Sequence, residues 1–170
     1  MITLQEGRLE FRFPNHWEAT AYDQWPFYKN QFKDCCGGNK AVDFLAFDPD
    51  GTLWLIEVKD YRQHRRTKSI PLWDEIAVKA RDTLAGLVAA HFTHGQTHQK
   101  DAVNLMSARK LRVILHLEQS KKHSKLFPRP FDPELVRMKL RLLLKPIDAH
   151  PRVVELHNMA GLPWTATTIP

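Results

Sequence analysis

The stretch Asp43-Phe44-Leu45-Ala46-Phe47-Asp48-Pro49-Asp50-Gly51-Thr52-Leu53-Trp54-Leu55-Ile56-Glu57-Val58-Lys59 decides the fold. Two apolar runs flank Asp48-Pro49-Asp50-Gly51, which predicts a β-hairpin. Pro49 pre-sets the first turn position and Gly51 suits a left-handed one, so a three-residue loop is expected. That loop pairs Asp48 with Thr52, and every later pair of residue numbers sums to 100. A two-residue Asp50-Gly51 turn would instead pair Asp43 with Val58 and put Asp43 on the opposite face from Glu57 and Lys59.

In the favoured register one face carries Phe47, Leu53, Leu45 and Leu55, then changes abruptly to Asp43, Glu57 and Lys59. The other carries Val42, Phe44, Ala46, Trp54, Ile56 and Val58. A hairpin apolar on both faces belongs inside a covered sheet. Asp43 directly opposite Glu57 is then an anomaly, because like charges across a strand pair repel. A divalent cation is the simplest compensation, and Mg²⁺ favours carboxylate, carbonyl and water oxygens. Lys59, two residues along the same face, is placed to position or deprotonate a metal-bound water.

Asp43, thirteen residues, then Glu57-Val58-Lys59 resembles the PD-(D/E)XK nuclease superfamily, the restriction-endonuclease-like fold. The resemblance covers residues 15–118 and implies metal-dependent hydrolysis of a nucleic-acid phosphodiester, by a DNA endonuclease more than an RNase. It assigns Asp43 and Glu57 as metal ligands with the Val58 carbonyl assisting, Lys59 at the water, and Mg²⁺ or Mn²⁺ as cofactor. Many members carry a further acidic residue on the first helix, and Glu18 is the position that could match. Val42 stands where the family's name has proline, and only two core strands are placed before the second helix. A non-catalytic nucleic-acid-binding or assembly subunit of the same fold is the alternative, and an unrelated basic α/β binding protein a more distant one.

Outward from the hairpin, Leu9 to Phe13 alternates as a strand. Asn15 and Glu18 form a near capping box, which predicts a helix to about Phe32, broken at Pro26. Asp74 suits a helix N-cap, and Ile76, Ala80, Leu84, Leu87, Val88 and His91 recur with helical period. Leu111–Glu118 reads as a strand. Asp132-Pro133-Glu134 opens a helix to about Lys145, and Arg152–Leu156 suits a last strand. The order predicts an α/β fold: one domain over 1–170, a mixed central sheet flanked by helices, and a basic helix-strand extension from 119.

The 170 residues are 43% hydrophobic and 26% charged, the balance of a soluble globular chain. The apolar runs Leu53 to Ile56 and Leu84 to Ala90 are too short to span a membrane. The first residues lack the basic and apolar regions of a signal peptide, so a cytoplasmic location is expected. Cys35 and Cys36 are adjacent and cannot staple distant segments; they read as reduced thiols. The net charge of +6 is uneven: residues 1–58 carry 5 Lys/Arg against 9 Asp/Glu, and residues 109–145 carry 11 against 3. This asymmetry suggests a polyanionic partner. Arg62, Arg65, Arg66, Lys79, Lys121, Lys122 and Lys125 are the expected phosphate contacts, and Lys79 also lies on the helix where related enzymes often place a polar group near the metal. A protein partner or a second copy would supply specificity. His91, His94 and His98 have zinc-like spacing, but Thr93, Gly95 and Thr97 mark a helix end instead.

Overall fold

A computed structural model describes residues 1–93, 105–120 and 130–169. Among the described residues, eight strands form two sheets. β3 (Glu18–Ala21), β4 (Phe44–Phe47) and β5 (Thr52–Asp60) make an antiparallel meander. The chain then crosses through α1 (Leu72–Phe92) to β6 (Lys110–Glu118), parallel to β5, and through α2 (Pro133–Leu144) to β7 (Arg152–Val154), parallel to β6. The second sheet has the order β1 (Ile2–Glu6), β2 (Leu9–Phe13), β8 (Thr165–Thr168) and is antiparallel. The mixed sheet and the α/β class are as expected.

The hairpin register is the one the turn dictates. Phe44 pairs with Ile56, Leu45 with Leu55, Ala46 with Trp54 and Phe47 with Leu53. The loop closes through Asp48 N–H to Thr52 O (3.1 Å) and Gly51 N–H to Asp48 O (3.0 Å), with Gly51 at φ +78°. The Asp48 carboxylate also accepts from Thr52 N–H and from Trp54 Nε1–H.

Both faces of the five-stranded sheet are covered, which explains the doubly apolar hairpin. Leu45, Leu53, Leu55, Val113, Leu115 and Leu117 pack against α1 and α2. Phe44, Ala46, Trp54, Ile56, Val58 and Ile114 pack against Leu9, Phe11 and Phe13 of the second sheet. Burying one such side chain contributes roughly 1.5–3 kcal/mol, so the two cores dominate stability. Val42 departs from the expected alternation and joins the helix-side core. β4 begins only at Phe44, and Val42 N–H is drawn to Thr83 Oγ1 on α1.

Expectations fail on both sides of the hairpin. The helix from Asn15 to Phe32 is instead strand β3 followed by short helical turns at Tyr22–Gln24 and Tyr28–Phe32. Pairing with β4 overrides the capping pattern, and it supplies the third strand that sequence reading did not find. α1 starts at Leu72 after Pro71 rather than at Asp74. No helix among the described residues is long and apolar enough to cross a membrane. His94 and His98 lie outside the described residues.

Candidate functional site

The polar end of the hairpin lies beneath α1. Glu57 is wholly buried and Asp43 nearly so. Ladder pairing stops at Phe44–Ile56, and Asp43 turns its Oδ2 to accept the Val58 N–H at 2.7 Å. Its main chain is fixed from both sides. Tyr22 N–H donates to Asp43 O, while α1 holds Lys40 N–H on Asp82 and Val42 N–H on Thr83. Asp82 and Thr83 thus set where the carboxylate sits.

Two ammonium groups meet the carboxylates. Lys79 Nζ is 2.5 Å from Glu57 Oε1 and 3.7 Å from Asp43 Oδ1, and Lys59 also pairs with Glu57 Oε1. Glu57 Oε2 is buried with no hydrogen-bond partner among the described residues. Burial, reinforced by the Asp43 charge, pushes the Glu57 carboxyl up to about 7 against the pull of both lysines. Although burial disfavours its charge, Lys59 is held above the ordinary lysine range by Glu57, Asp43 and Glu75. It is therefore a poor proton acceptor here, which leaves positioning as the one of its two expected roles at a metal-bound water that fits.

Glu75, one turn before Lys79, links this cluster to the basic connection. It lies 3.6 Å from Lys59 and binds Arg66 (2.5 Å) and Lys68 (2.6 Å). Burial acts upward on its carboxyl, but Lys68, Lys59 and Arg66 outweigh it and hold it down at about 2. Glu6 and Asp23 border the cluster; burial raises both, and the Asp43 charge adds to each. The sequence reading missed Glu75, Glu6 and Asp23. Only the four-residue spacing of Glu75 and Lys79 on one helical face signalled any of them.

The expected site residues do not all converge. Glu18 opens β3 opposite Phe47, three ladder positions from Ala21–Phe44 and about 10 Å of strand away from the Asp43 end. It is exposed and belongs to no first helix, so it is no companion ligand. Lys79 is a partner of the buried carboxylates rather than a phosphate-facing lysine. Arg62 is forked onto Asp60 and reaches Thr168, and Arg66 is held by Glu75 and Ile70 O. Arg65 lines the cleft beside them. Lys121, Lys122 and Lys125 lie outside the described residues.

That cleft, of about 400 Å³, is walled by Tyr61, Trp73 and Phe131 and rimmed by Arg62, Arg65 and Arg66. A shallower groove sharing Tyr61, Arg65 and Arg66 continues from it to Lys59 and Glu75. A positive track therefore leads from the carboxylate–lysine cluster to an aromatic recess.

Comparison with known proteins changes the functional reading. No family model and no solved structure matches the chain. A cysteine–tRNA ligase of Neisseria meningitidis serogroup A / serotype 4A is 30% identical over 210 aligned positions, covering 99% of this chain. The chain spans 30% of that protein's length. The nuclease, endonuclease and hydrolase assignments taken from the Asp43–Glu57–Lys59 pattern are thereby corrected, because 99% of this chain is similar to part of a tRNA ligase. The geometry supplies a physical reason: Lys59 and Lys79 already neutralise the facing carboxylates that had called for a dication. The preference for DNA over RNA loses its basis in the same way.

Proposed function

We propose that this chain is an RNA-binding domain that engages tRNA. The observation that carries the reading is the similarity of 99% of the chain to part of a cysteine–tRNA ligase. The positive track and the net charge of +6 support it, since basic surface gives a nucleic acid its salt-dependent affinity. Binding of the purified chain to a tRNA transcript, with a DNA duplex of matched length as competitor, tests it. Retention of tRNA that weakens with salt and resists the duplex is the expected result. Equal competition by DNA, or no retention at low salt, overturns it.

We further infer that β3, β4, β5, α1 and β6 form a restriction-endonuclease-like core. The antiparallel meander followed by a helical crossover to a parallel strand supports this, with short helical turns where a first helix is expected. In this reading the core serves as a scaffold for RNA contact.

Mg²⁺ or Mn²⁺ at Asp43, Glu57 and the Val58 carbonyl is a separate proposal. It is favoured by the unpartnered, buried Oε2 of Glu57 and opposed by the two ammonium groups on Oε1. Binding would require Lys79 to withdraw. A melting temperature raised by millimolar Mg²⁺ and insensitive to it in Asp43→Asn supports the cation. Identical melting in Mg²⁺ and EDTA leaves the lysines as the sole counter-charges.

A further inference from the structure

We propose that the recess between Tyr61, Trp73 and Phe131 holds an unpaired nucleotide of the bound RNA, its base against the rings and its phosphates on the arginine rim. The inference rests on the RNA-binding reading above and names the part of the RNA that the domain grips.

Each wall is fixed by the fold. Tyr61 follows β5 directly, and its N–H donates to Glu118 O of β6 at 2.8 Å. Phe131 is clamped at main-chain level by buried Gln119, whose amide donates to Phe131 O and accepts from Phe131 N–H. The Tyr61 and Phe131 rings lie 5.6 Å apart at 40°, splayed rather than stacked on one another. Trp73 sits in the first turn of α1, with Lys139 of α2 5.9 Å from its ring centroid. All three rings are partly exposed although they border the helix-side core.

The charged side chains that line the recess have one sign. Its described lining includes Arg62, Arg65, Arg66 and Lys68 and no Asp or Glu. The acidic neighbours Asp60 and Glu75 are not among its lining residues and pair with Arg62 and Arg66. An apolar, aromatic floor with a cationic rim fits a ligand that joins a flat ring to an anion. A volume of about 400 Å³ lies within the roughly 300–1,000 Å³ of small-molecule pockets. Bases inside a duplex have their faces covered by stacking, so the occupant is an unstacked base from a single-stranded end, the form in which proteins stack RNA bases on aromatic side chains.

The test is fluorescence anisotropy with three labelled RNAs: a blunt hairpin, the same hairpin with a short single-stranded 3′ extension, and that extension made of abasic residues. The extended hairpin should bind more tightly than the blunt one, and the abasic version should lose the gain. Phe131→Leu, which keeps an apolar side chain but no ring, and Tyr61→Ala should each remove roughly 5- to 150-fold of affinity for the extended RNA, the range for one stacked base. Both should leave the blunt hairpin unaffected, which also reports that the variants are folded. Equal affinity for blunt and extended RNA in wild type overturns the nucleotide recess while leaving the RNA-binding reading intact. Failure to bind any of the three overturns both.

Discussion

Lys79 of α1 places its ammonium 2.5 Å from Oε1 of the fully buried Glu57, and the same ammonium reaches Asp43. A helix lysine thus supplies the counter-charge for two carboxylates that the hairpin forces together. Removing it should expose that cost. Lys79→Met should lose stability, toward the low end of the roughly 3–5 kcal/mol for breaking a buried pair, since Lys59 remains. The loss should be larger at pH 8 than at pH 5, because the Glu57 carboxyl, already lifted to about 7, escapes by taking up a proton. Urea denaturation at the two pH values measures this. Adding Glu57→Gln should recover most of it, and a pH-independent loss would show that Lys79 contributes only packing.

Glu57 and Glu75 should move stability in opposite directions with pH. The folded-state pKa of Glu57 is raised to about 7 from 4.5, so the folded protein holds the proton more tightly. Its contribution is full below about pH 4.5 and is lost as pH rises through about 7. Glu75 is lowered to about 2, so its contribution is full above about pH 4.5 and is lost as pH falls through about 2. Relative to wild type, Glu57→Gln should therefore gain stability on going from pH 5 to pH 8. Glu75→Gln should show its deficit at pH 5 and lose that deficit toward pH 2. Melting temperatures across this range decide it, and parallel curves for all three proteins would contradict the assignment.

Where local chemistry decides, the sequence was legible. Pro49-Asp50-Gly51 favours the three-residue loop over a two-residue one, that loop fixes the pairing of Phe44 through Phe47, and the pairing brings Asp43 toward Glu57. β1 was also open to reading: Ile2 and Leu4 alternate with polar neighbours, and Gly7-Arg8 is a two-residue turn before β2. β3 was not, because Asn15 and Glu18 carry a helix-start signal that pairing with β4 overrides. Lys79 was read as a phosphate contact since nothing local shows that α1 lays this residue over the hairpin. Function was less legible still. Asp43, Glu57 and Lys59 match a nuclease pattern, yet the same residues with Lys79 make a charge-balanced buried cluster.

Asp48 should matter more than a loop aspartate ordinarily does. One oxygen accepts the Thr52 N–H at 2.8 Å and the other the Trp54 indole N–H at 2.9 Å. Trp54 in turn packs on Trp17 and Trp164, with centroids 6.0 and 5.2 Å away, so the turn is tied to the second core. Asp48→Ala leaves two buried donors without acceptors, each worth about 1–3 kcal/mol. Asp48→Asn retains one acceptor and should fall between the variant and wild type. Chemical denaturation followed by tryptophan fluorescence measures both, and an Asp48→Ala variant as stable as wild type would remove the turn's link to that core.

Gly86 lies inside α1, where alanine would ordinarily stabilise a helix by about 1 kcal/mol. Here the added methyl would sit 2.0 Å from Tyr22 Oη and 3.0 Å from Phe32 Cε1. Tyr22 is fully buried, packs on Trp25 and Tyr28, and donates its N–H to Asp43 O, so it has little room to retreat. Overpacking of this kind costs about 1–3 kcal/mol, which exceeds the propensity gain. Gly86→Ala should therefore lower the melting temperature, and the displaced Tyr22 should disturb the Asp43 end of the site. The Tyr22 hydroxyl has no hydrogen-bond partner among the described residues, so Tyr22→Phe alone should change stability little. Combined with Gly86→Ala it removes the atom in closest conflict, and the double variant should melt above the Gly86→Ala single. A Gly86→Ala protein at least as stable as wild type would mean that α1 does not approach the Tyr22 turn this closely.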